Sequence, residues 1–244
     1  MKPAAWRASS FIPAFEGALR PATLPCMTRI RTITPLHLDQ ERLFWEAGLT
    51  CVAGVDEVGR GAIAGPLMAG AVVLPAVGSR RLGVLRQHLA GVRDSKTLSF
   101  RQRAVLAEGI MALAEAVGIG TVEHDEFDAI GMSAANRLAM ERAVLALGVV
   151  PDALLLDACT IDLGVPQVGI IGADALCLSV AAASIVAKVA RDTVMLAHHE
   201  RDERYAFAQH KGYGTALHFA RIVEHGPGPI HRMSIPRVAN GGIR

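Results

Sequence analysis

Asp56 and Glu57 stand side by side at the end of the apolar run Val-Ala-Gly-Val, and after a single valine comes an arginine between two glycines, Gly59-Arg60-Gly61. An ionised carboxylate in apolar surroundings is costly unless something compensates it. Two of them in a row at the end of a buried strand therefore call for a partner. Neighbouring strand residues point to opposite faces, so both acids serve one site only if the chain bends between or just after them, and Gly59 and Gly61 permit that bend. A hard divalent cation held by oxygen ligands and facing a phosphate fits such a site. The alternative is a plain strand-end turn whose acids are solvated or paired with Arg60.

Two further acids have comparable settings. Asp157 closes the apolar run Leu154-Leu155-Leu156, and Asp174 precedes a long small-residue segment. Taken singly, Asp157 reads equally as a turn residue and Asp174 as a helix N-cap. Were the four acids to converge on one place, their oxygens would suit two divalent ions about 3.5–4 Å apart, an arrangement that activates water and neutralises charge in phosphodiester hydrolysis.

Seven segments, in order over roughly residues 50–237, resemble the type 2 ribonucleases H, the ribonuclease HII family. They are Asp-Glu-x-Gly-Arg-Gly with Ala-Gly-Pro at 64–66; Asp94-Ser95-Lys96 with Leu98-Ser99; Leu154 to Asp157; Asp174 ten residues before Ser184; Ala-Ala-Ala-Ser-Ile-Val-Ala-Lys-Val at 181–189; Lys211-Gly212-Tyr213-Gly214-Thr215; and His231-Arg232-Met233-Ser234. The resemblance implies a metal-dependent endonuclease that hydrolyses the RNA strand of RNA–DNA hybrids. It also implies cutting 5′ to ribonucleotides embedded in duplex DNA, leaving 3′-OH and 5′-phosphate ends. In that reading Asp56, Glu57, Asp157 and Asp174 hold Mn²⁺ or Mg²⁺, with Asp56 at or near the bridge. Gly59, Arg60 and Gly61 read the ribonucleotide 2′-hydroxyl, the group that distinguishes RNA from DNA. Lys96, Ser184 and Lys188 hold phosphates, and Tyr213 stacks at the RNA–DNA junction. A type 3-like, hybrid-specific ribonuclease H and a non-catalytic nucleic-acid-binding module are the alternatives. The chain departs from the family pattern at Ala62 (usually Pro), Ala158 (usually Gly), Gly172-Ala173 (usually Lys-Gly) and Ile235 (usually Phe).

The elements that must position these residues are legible in outline. A short helix over 38–47 leads into strands at 51–56 and 67–74, separated by the Gly-rich turn. Ser99 caps a helix over 100–116, followed by a strand at 118–122, a helical turn at 127–130 and an amphipathic helix at 133–147 ended by Gly148. Strands at 153–156 and 167–171 precede helices at 177–199 and 215–225. On the latter part of the first of these helices, Lys188, Arg191 and Asp192 read as an ordinary polar face. Strands mixed with helices give an α/β or α+β layered domain. The resemblance narrows this to a ribonuclease H-like mixed sheet flanked by helices, with a helical C-terminal portion.

Composition sets wider bounds. Of the 244 residues 51% are hydrophobic and 20% charged, enough for a sizeable core and inconsistent with a disordered chain. The net charge of +2 does not by itself announce a nucleic-acid partner. Cys26, Cys51, Cys159 and Cys177 have no zinc-type spacing and read as free thiols in a reducing cytoplasm. Histidines cluster after position 197, but no pair has the i, i+4 spacing of a helical zinc site; His218 and His231 read as structural or phosphate contacts. No membrane span is expected. Residues 1–34, basic and interrupted by proline, read as a disordered extension or as sequence ahead of a true start at Met27. Residues 35–237 read as the catalytic domain, 238–244 as a short tail, and the protein as a monomer.

Overall fold

A computed structural model of the protein describes residues 38–76, 84, 87 and 99–243. The N-terminal stretch 1–34, Cys26 and the expected phosphate contact Lys96 lie outside the described residues. Five strands form one mixed sheet: β1 (Val52–Val58), β2 (Leu67–Val73), β3 (Ala116–Val122), β4 (Ala153–Asp157) and β5 (Gln167–Ile170). Their order is β3-β2-β1-β4-β5. β1 pairs antiparallel with β2, as the short Gly-rich connection suggests, and β2 antiparallel with β3. β4 and β5 add parallel strands on the other side of β1. This order brings the carboxyl ends of β1 and β4 together, although about a hundred residues of chain separate them.

Helices cover both faces. They are α1 (Asp39–Glu46), α2 (Phe100–Leu113), α3 (His124–Ile130), α4 (Met132–Leu145), α5 (Ala173–Leu176), α6 (Leu178–Arg201), α7 (Phe207–His210), α8 (Ala216–His225) and α9 (Pro236–Ala239). α6 crosses one face, burying Val180, Ala183 and Val186 with Val52, Val72 and Leu155, and α1 and α2 pack beside it through Phe44, Trp45 and Ile110. α4 covers the other face, where Ala139, Met140 and Ala143 meet Val55, Ala71 and Leu154. Glycines on the strands and alanines on the facing helices let the helix backbones lie close to the sheet. Gly70, opposite Asp56 in the β1–β2 register, is one position that requires this closeness. A Cβ there would stand 2.5 Å from the Ala183 carbonyl oxygen, so α6 would have to retreat and carry Ser184 away from Asp56.

The expected helix at 100–116 ends at Leu113, because Ala114 turns extended and 116–122 joins the sheet as β3. Ser99 is the N-cap as expected, exchanging hydrogen bonds with Gln102 in a capping box. The turn read at 127–130 is a full helix from His124, and α4 stops at Leu145, ahead of Gly148. The C-terminal helices pack on the loop after β1: Ile222 and Val238 are buried against Ile63. No helix among the described residues is long and apolar enough to cross a membrane.

Ala158, directly after Asp157, has φ +53, the left-handed region in which a side chain is strained and glycine is not. This is one of the positions where the resemblance leads one to expect glycine. Ala158→Gly is expected to raise stability by about 1 kcal/mol, the strain relieved being partly offset by unfolded-state entropy. Urea unfolding of the two proteins checks it, and an unchanged midpoint would count against the strain.

Candidate active site

Val55 pairs with Leu156 in the parallel β1–β4 ladder, so Asp56 and Asp157 come next on adjacent strands. Asp56 lies on the face of β1 that looks toward α6; its carboxylate accepts the Glu57 N–H at 2.8 Å and the Ser184 hydroxyl. Burial pushes the Asp56 carboxyl up to about 7; the Ser184 hydrogen bond opposes this, while the charges of Glu57, Asp157 and Asp174 add to it. Glu57 points from the other face, yet at the strand end it borders the same opening. Its carboxyl is also raised, first by burial; a hydrogen bond to its own backbone opposes this, Asp157 and Asp174 add to it, and Arg60, 3.9 Å away, holds it down.

Asp157 Oδ1 accepts the N–H groups of Gly172 and Ala173 at 2.9 and 3.0 Å. That ties the end of β4 to the start of α5, whose second residue is Asp174. Asp174 is therefore not the N-cap of a helix; Gly172 is, at φ +73. The departure from Lys-Gly to Gly172-Ala173 removes a cation but leaves the two amides that hold Asp157.

Asp56, Glu57, Asp157 and Asp174 line one cleft of about 530 Å³ together with Gly59, Arg60, Gly61, Ser184, Lys188 and Tyr213. Every candidate site residue that falls among the described residues is thus in the same place. Arg103, from α2, lines it too and was not anticipated.

Two arginines hold the loop that follows Gly59. Arg191 is fully buried and donates to the carbonyls of Pro66, Lys211 and Ala64 at 2.9, 2.8 and 3.1 Å. Arg232, also fully buried, donates to Gly65, Ala62 and Arg60 at 3.1, 2.9 and 3.3 Å. Burial lowers both guanidinium pKa values, that of Arg232 to about 10, which leaves Arg232 charged at neutral pH. The polar-face reading of Arg191 and Asp192 is thereby corrected: both are buried and face inward. The signal was available, since Ser184, Lys188, Arg191 and Asp192 recur at helical i, i+4, i+7 and i+8. Tyr213 is brought beside the turn by a bridge to Ala62 and by the Ile63 N–H to Gly212 carbonyl bond of 2.9 Å. Arg191 and Lys188 lie 5.3 and 5.5 Å from its ring centre.

His218 and His231 are buried away from the cleft, their Nε2 atoms 3.0 Å apart. Burial pushes them down to about 3 and about 4, so both rings are neutral and one nitrogen donates to the other. His210 stacks on His218 at 4.1 Å. These rings join the C-terminal helices to the loop after β1; the phosphate-contact reading fails because neither lines the cleft.

The fit to a divalent cation rests on the donor set. The ligands available are carboxylate oxygens, and Asp56 is an acid whose ionisation is opposed by burial and three neighbouring carboxylates, a cost that a cation would offset. Among the described residues no three His, Cys, Asp or Glu side chains close around a single point. Mg²⁺ needs only one or two carboxylates when waters and substrate phosphate oxygens complete its shell. The residues therefore fit an ion shared with substrate, not a closed structural site.

A sequence-family model described as Ribonuclease HII matches residues 53–238, most of the chain and every element of the cleft. The chain belongs to the ribonuclease HII family. Among its relatives, the ribonuclease HII of Cutibacterium acnes is 49% identical over 202 residues, covering 82% of this chain and 96% of that protein. The ribonuclease HII of Dehalococcoides mccartyi is 44% identical over 194 residues, covering 79% and 89%. The crystal structure of ribonuclease H2 from Pyrococcus horikoshii superposes with a TM-score of 0.67 at 24% identity, covering 78% of this chain and 96% of that one, which speaks to the fold. As a member of this family, the protein is an endoribonuclease of the ribonuclease H type.

Proposed function

We propose that the enzyme hydrolyses the RNA strand of RNA–DNA hybrids and also cuts duplex DNA 5′ to an embedded ribonucleotide, leaving 3′-OH and 5′-phosphate ends. The observation that supports this most is the sharing of one cleft by four carboxylates, the Gly59–Gly61 turn and Tyr213. Asp56, Glu57, Asp157 and Asp174 would hold two divalent cations, Mn²⁺ or Mg²⁺. When bound, such ions supply an activated water and neutralise charge on the attacking and leaving oxygens.

The chain's own residues do the rest. Asp56, fixed by the Glu57 amide and the Ser184 hydroxyl, presents its remaining oxygen positions to the cleft. Asp157 is oriented by the Gly172 and Ala173 amides and has its second oxygen left for ligation. The Gly59–Gly61 backbone, unobstructed by side chains at the glycines and braced by Arg191 and Arg232, offers donors and acceptors to a ribose 2′-hydroxyl. The Tyr213 ring gives a flat surface for the deoxyribose that follows the ribonucleotide. Lys188, and Lys96 by the same reading, neutralise backbone phosphates, contacts that position the strand without reading its sequence.

The test is cleavage of an end-labelled DNA duplex carrying one ribonucleotide, beside a continuous RNA–DNA hybrid, with and without Mg²⁺ or Mn²⁺. A single metal-dependent cut 5′ to the ribonucleotide is expected. Cleavage of the hybrid alone would replace the junction reading with a type 3-like one. Failure of the folded protein to cut either substrate would overturn the catalytic reading and leave a binding module.

A further inference from the structure

The turn that presents Tyr213 to the cleft is strained: Lys211 has φ +50 and Gly212 φ +83, so a lysine occupies the left-handed region that disfavours a side chain. Such a turn persists only where its surroundings fix it. Here the buried rings of His210, His218 and His231 bond to it, directly or in series. The bonds also decide which ring nitrogen carries each proton. A carbonyl only accepts, so His218 Nδ1, 3.0 Å from the Tyr213 carbonyl oxygen, is the protonated nitrogen of that ring. Its Nε2 then accepts from His231 Nε2, 3.0 Å away. That leaves His231 Nδ1 to accept the Gly228 N–H at 2.9 Å. The Gly228 carbonyl, 3.2 Å from the same nitrogen, would favour the opposite tautomer, but that would set two bare nitrogens against each other between His231 and His218. His210 is fixed likewise: Nε2 donates to the Tyr205 carbonyl at 2.8 Å and Nδ1 accepts the Gly212 N–H at 3.2 Å. The donors thus run one way, from Gly228 through His231 and His218 to Tyr213, and each bond polarises the next.

We propose that His218 and His231 are positioning residues for the RNA–DNA junction, their relay fixing the Tyr213 carbonyl and with it the ring that meets the sugar beyond the ribonucleotide. Neither lines the cleft, so neither touches substrate. The inference rests on the proposed role of Tyr213 and makes that role depend on a buried pair of rings. The Tyr213 carbonyl also accepts the Thr215 N–H at 2.8 Å, so both its lone pairs are used and the start of α8 is tied to the same atom. An apolar ring at position 218 would pack against Phe207, whose ring centre lies 5.5 Å away, but would hold neither Tyr213 nor His231.

The measurement is the ratio of two cleavage rates, on a DNA duplex carrying one ribonucleotide and on a continuous RNA–DNA hybrid. Both rates scale with the amount of folded enzyme, so a mere loss of stability leaves the ratio unchanged. His218→Phe is expected to lower it about tenfold, the worth of one hydrogen bond. His218→Asn, whose amide can donate from the Nδ1 position, restores most of it. Because the effect passes through the Tyr213 ring, His218→Phe should lower the ratio no further in a Tyr213→Ala background. Nitrogen NMR of the metal-free, histidine-labelled wild type reads the relay directly and decides even if His218→Phe does not fold: His218 is expected protonated on Nδ1 and His231 on Nε2. The opposite tautomer in either ring overturns the proposal. So does a wild-type ratio in His218→Phe, or an equal loss with and without the Tyr213 side chain; these outcomes leave the junction role of Tyr213 standing. A wild-type ratio in Tyr213→Ala, or a wild type that makes no cut at the single ribonucleotide, overturns that role and the proposal together.

Discussion

Asp56→Asn is expected to lower cleavage at least about a thousandfold, roughly 4 kcal/mol of transition-state stabilisation, while making the metal-free protein more stable at neutral to alkaline pH. The two effects share one cause. Burial, with three carboxylates nearby, raises the Asp56 pKa from 3.8 to about 7 in the folded protein. Between those values the folded state binds more proton than the unfolded one. The wild type is therefore favoured by acid and loses that stability as pH rises through about 7. Asparagine can still accept the Glu57 amide and Ser184 hydroxyl bonds but carries no charge to bury. In EDTA the variant should gain about 2–4 kcal/mol over wild type between pH 5 and pH 8, the spread reflecting titration shared with the neighbouring acids. Mg²⁺ or Mn²⁺ should narrow the gap, because a cation bound at the ionised site stabilises only the protein that holds it. Thermal melts at the two pH values and a cleavage assay decide it. An equal stability difference at both pH values would refute the burial account, and cleavage within tenfold of wild type would remove Asp56 from the reaction centre.

How far the sequence revealed this site depends on what kind of contact made each part. Asp56, Glu57, Gly59 and Arg60 were legible because their chemistry is written in consecutive residues. Asp157 and Asp174 were candidates with ordinary alternatives until the family resemblance joined them to the pair. What the sequence could not express was the parallel β1–β4 pairing that puts Asp157 beside Asp56, because parallel order depends on crossovers and not on local pattern. The two buried arginines were missed for a related reason. Charged residues are expected outside, and Arg191 and Arg232 are inside only because they find backbone carbonyls on a loop more than a hundred positions earlier. The β3 boundary was misplaced because alanine-rich sequence supports helix, and pairing with β2 overrode that propensity.

The glycines on either side of Arg60 are expected to respond differently to the same change. Gly59 has φ +88, and a Cβ there would stand 2.2 Å from Arg191 Nε. Arg191 cannot step aside without cost, since its guanidinium is held by three carbonyls at 2.8–3.1 Å. Gly59→Ala thus combines left-handed strain with the displacement of a buried charge, and a loss of about 3–5 kcal/mol follows, or roughly 6–15 °C in melting temperature. At Gly61 an added Cβ meets no atom of the described residues within 4 Å and the backbone is not left-handed. Gly61→Ala should leave stability within about 0.5 kcal/mol. Its methyl group would nevertheless occupy the cleft where the turn is proposed to face the ribose, so cleavage at a single embedded ribonucleotide should fall about tenfold or more. Melting curves and cleavage rates for the pair separate the two roles. If Gly61→Ala cleaves at the wild-type rate, the turn does not approach the sugar closely. If Gly59→Ala melts with the wild type, the loop yields more easily than its two arginine braces imply.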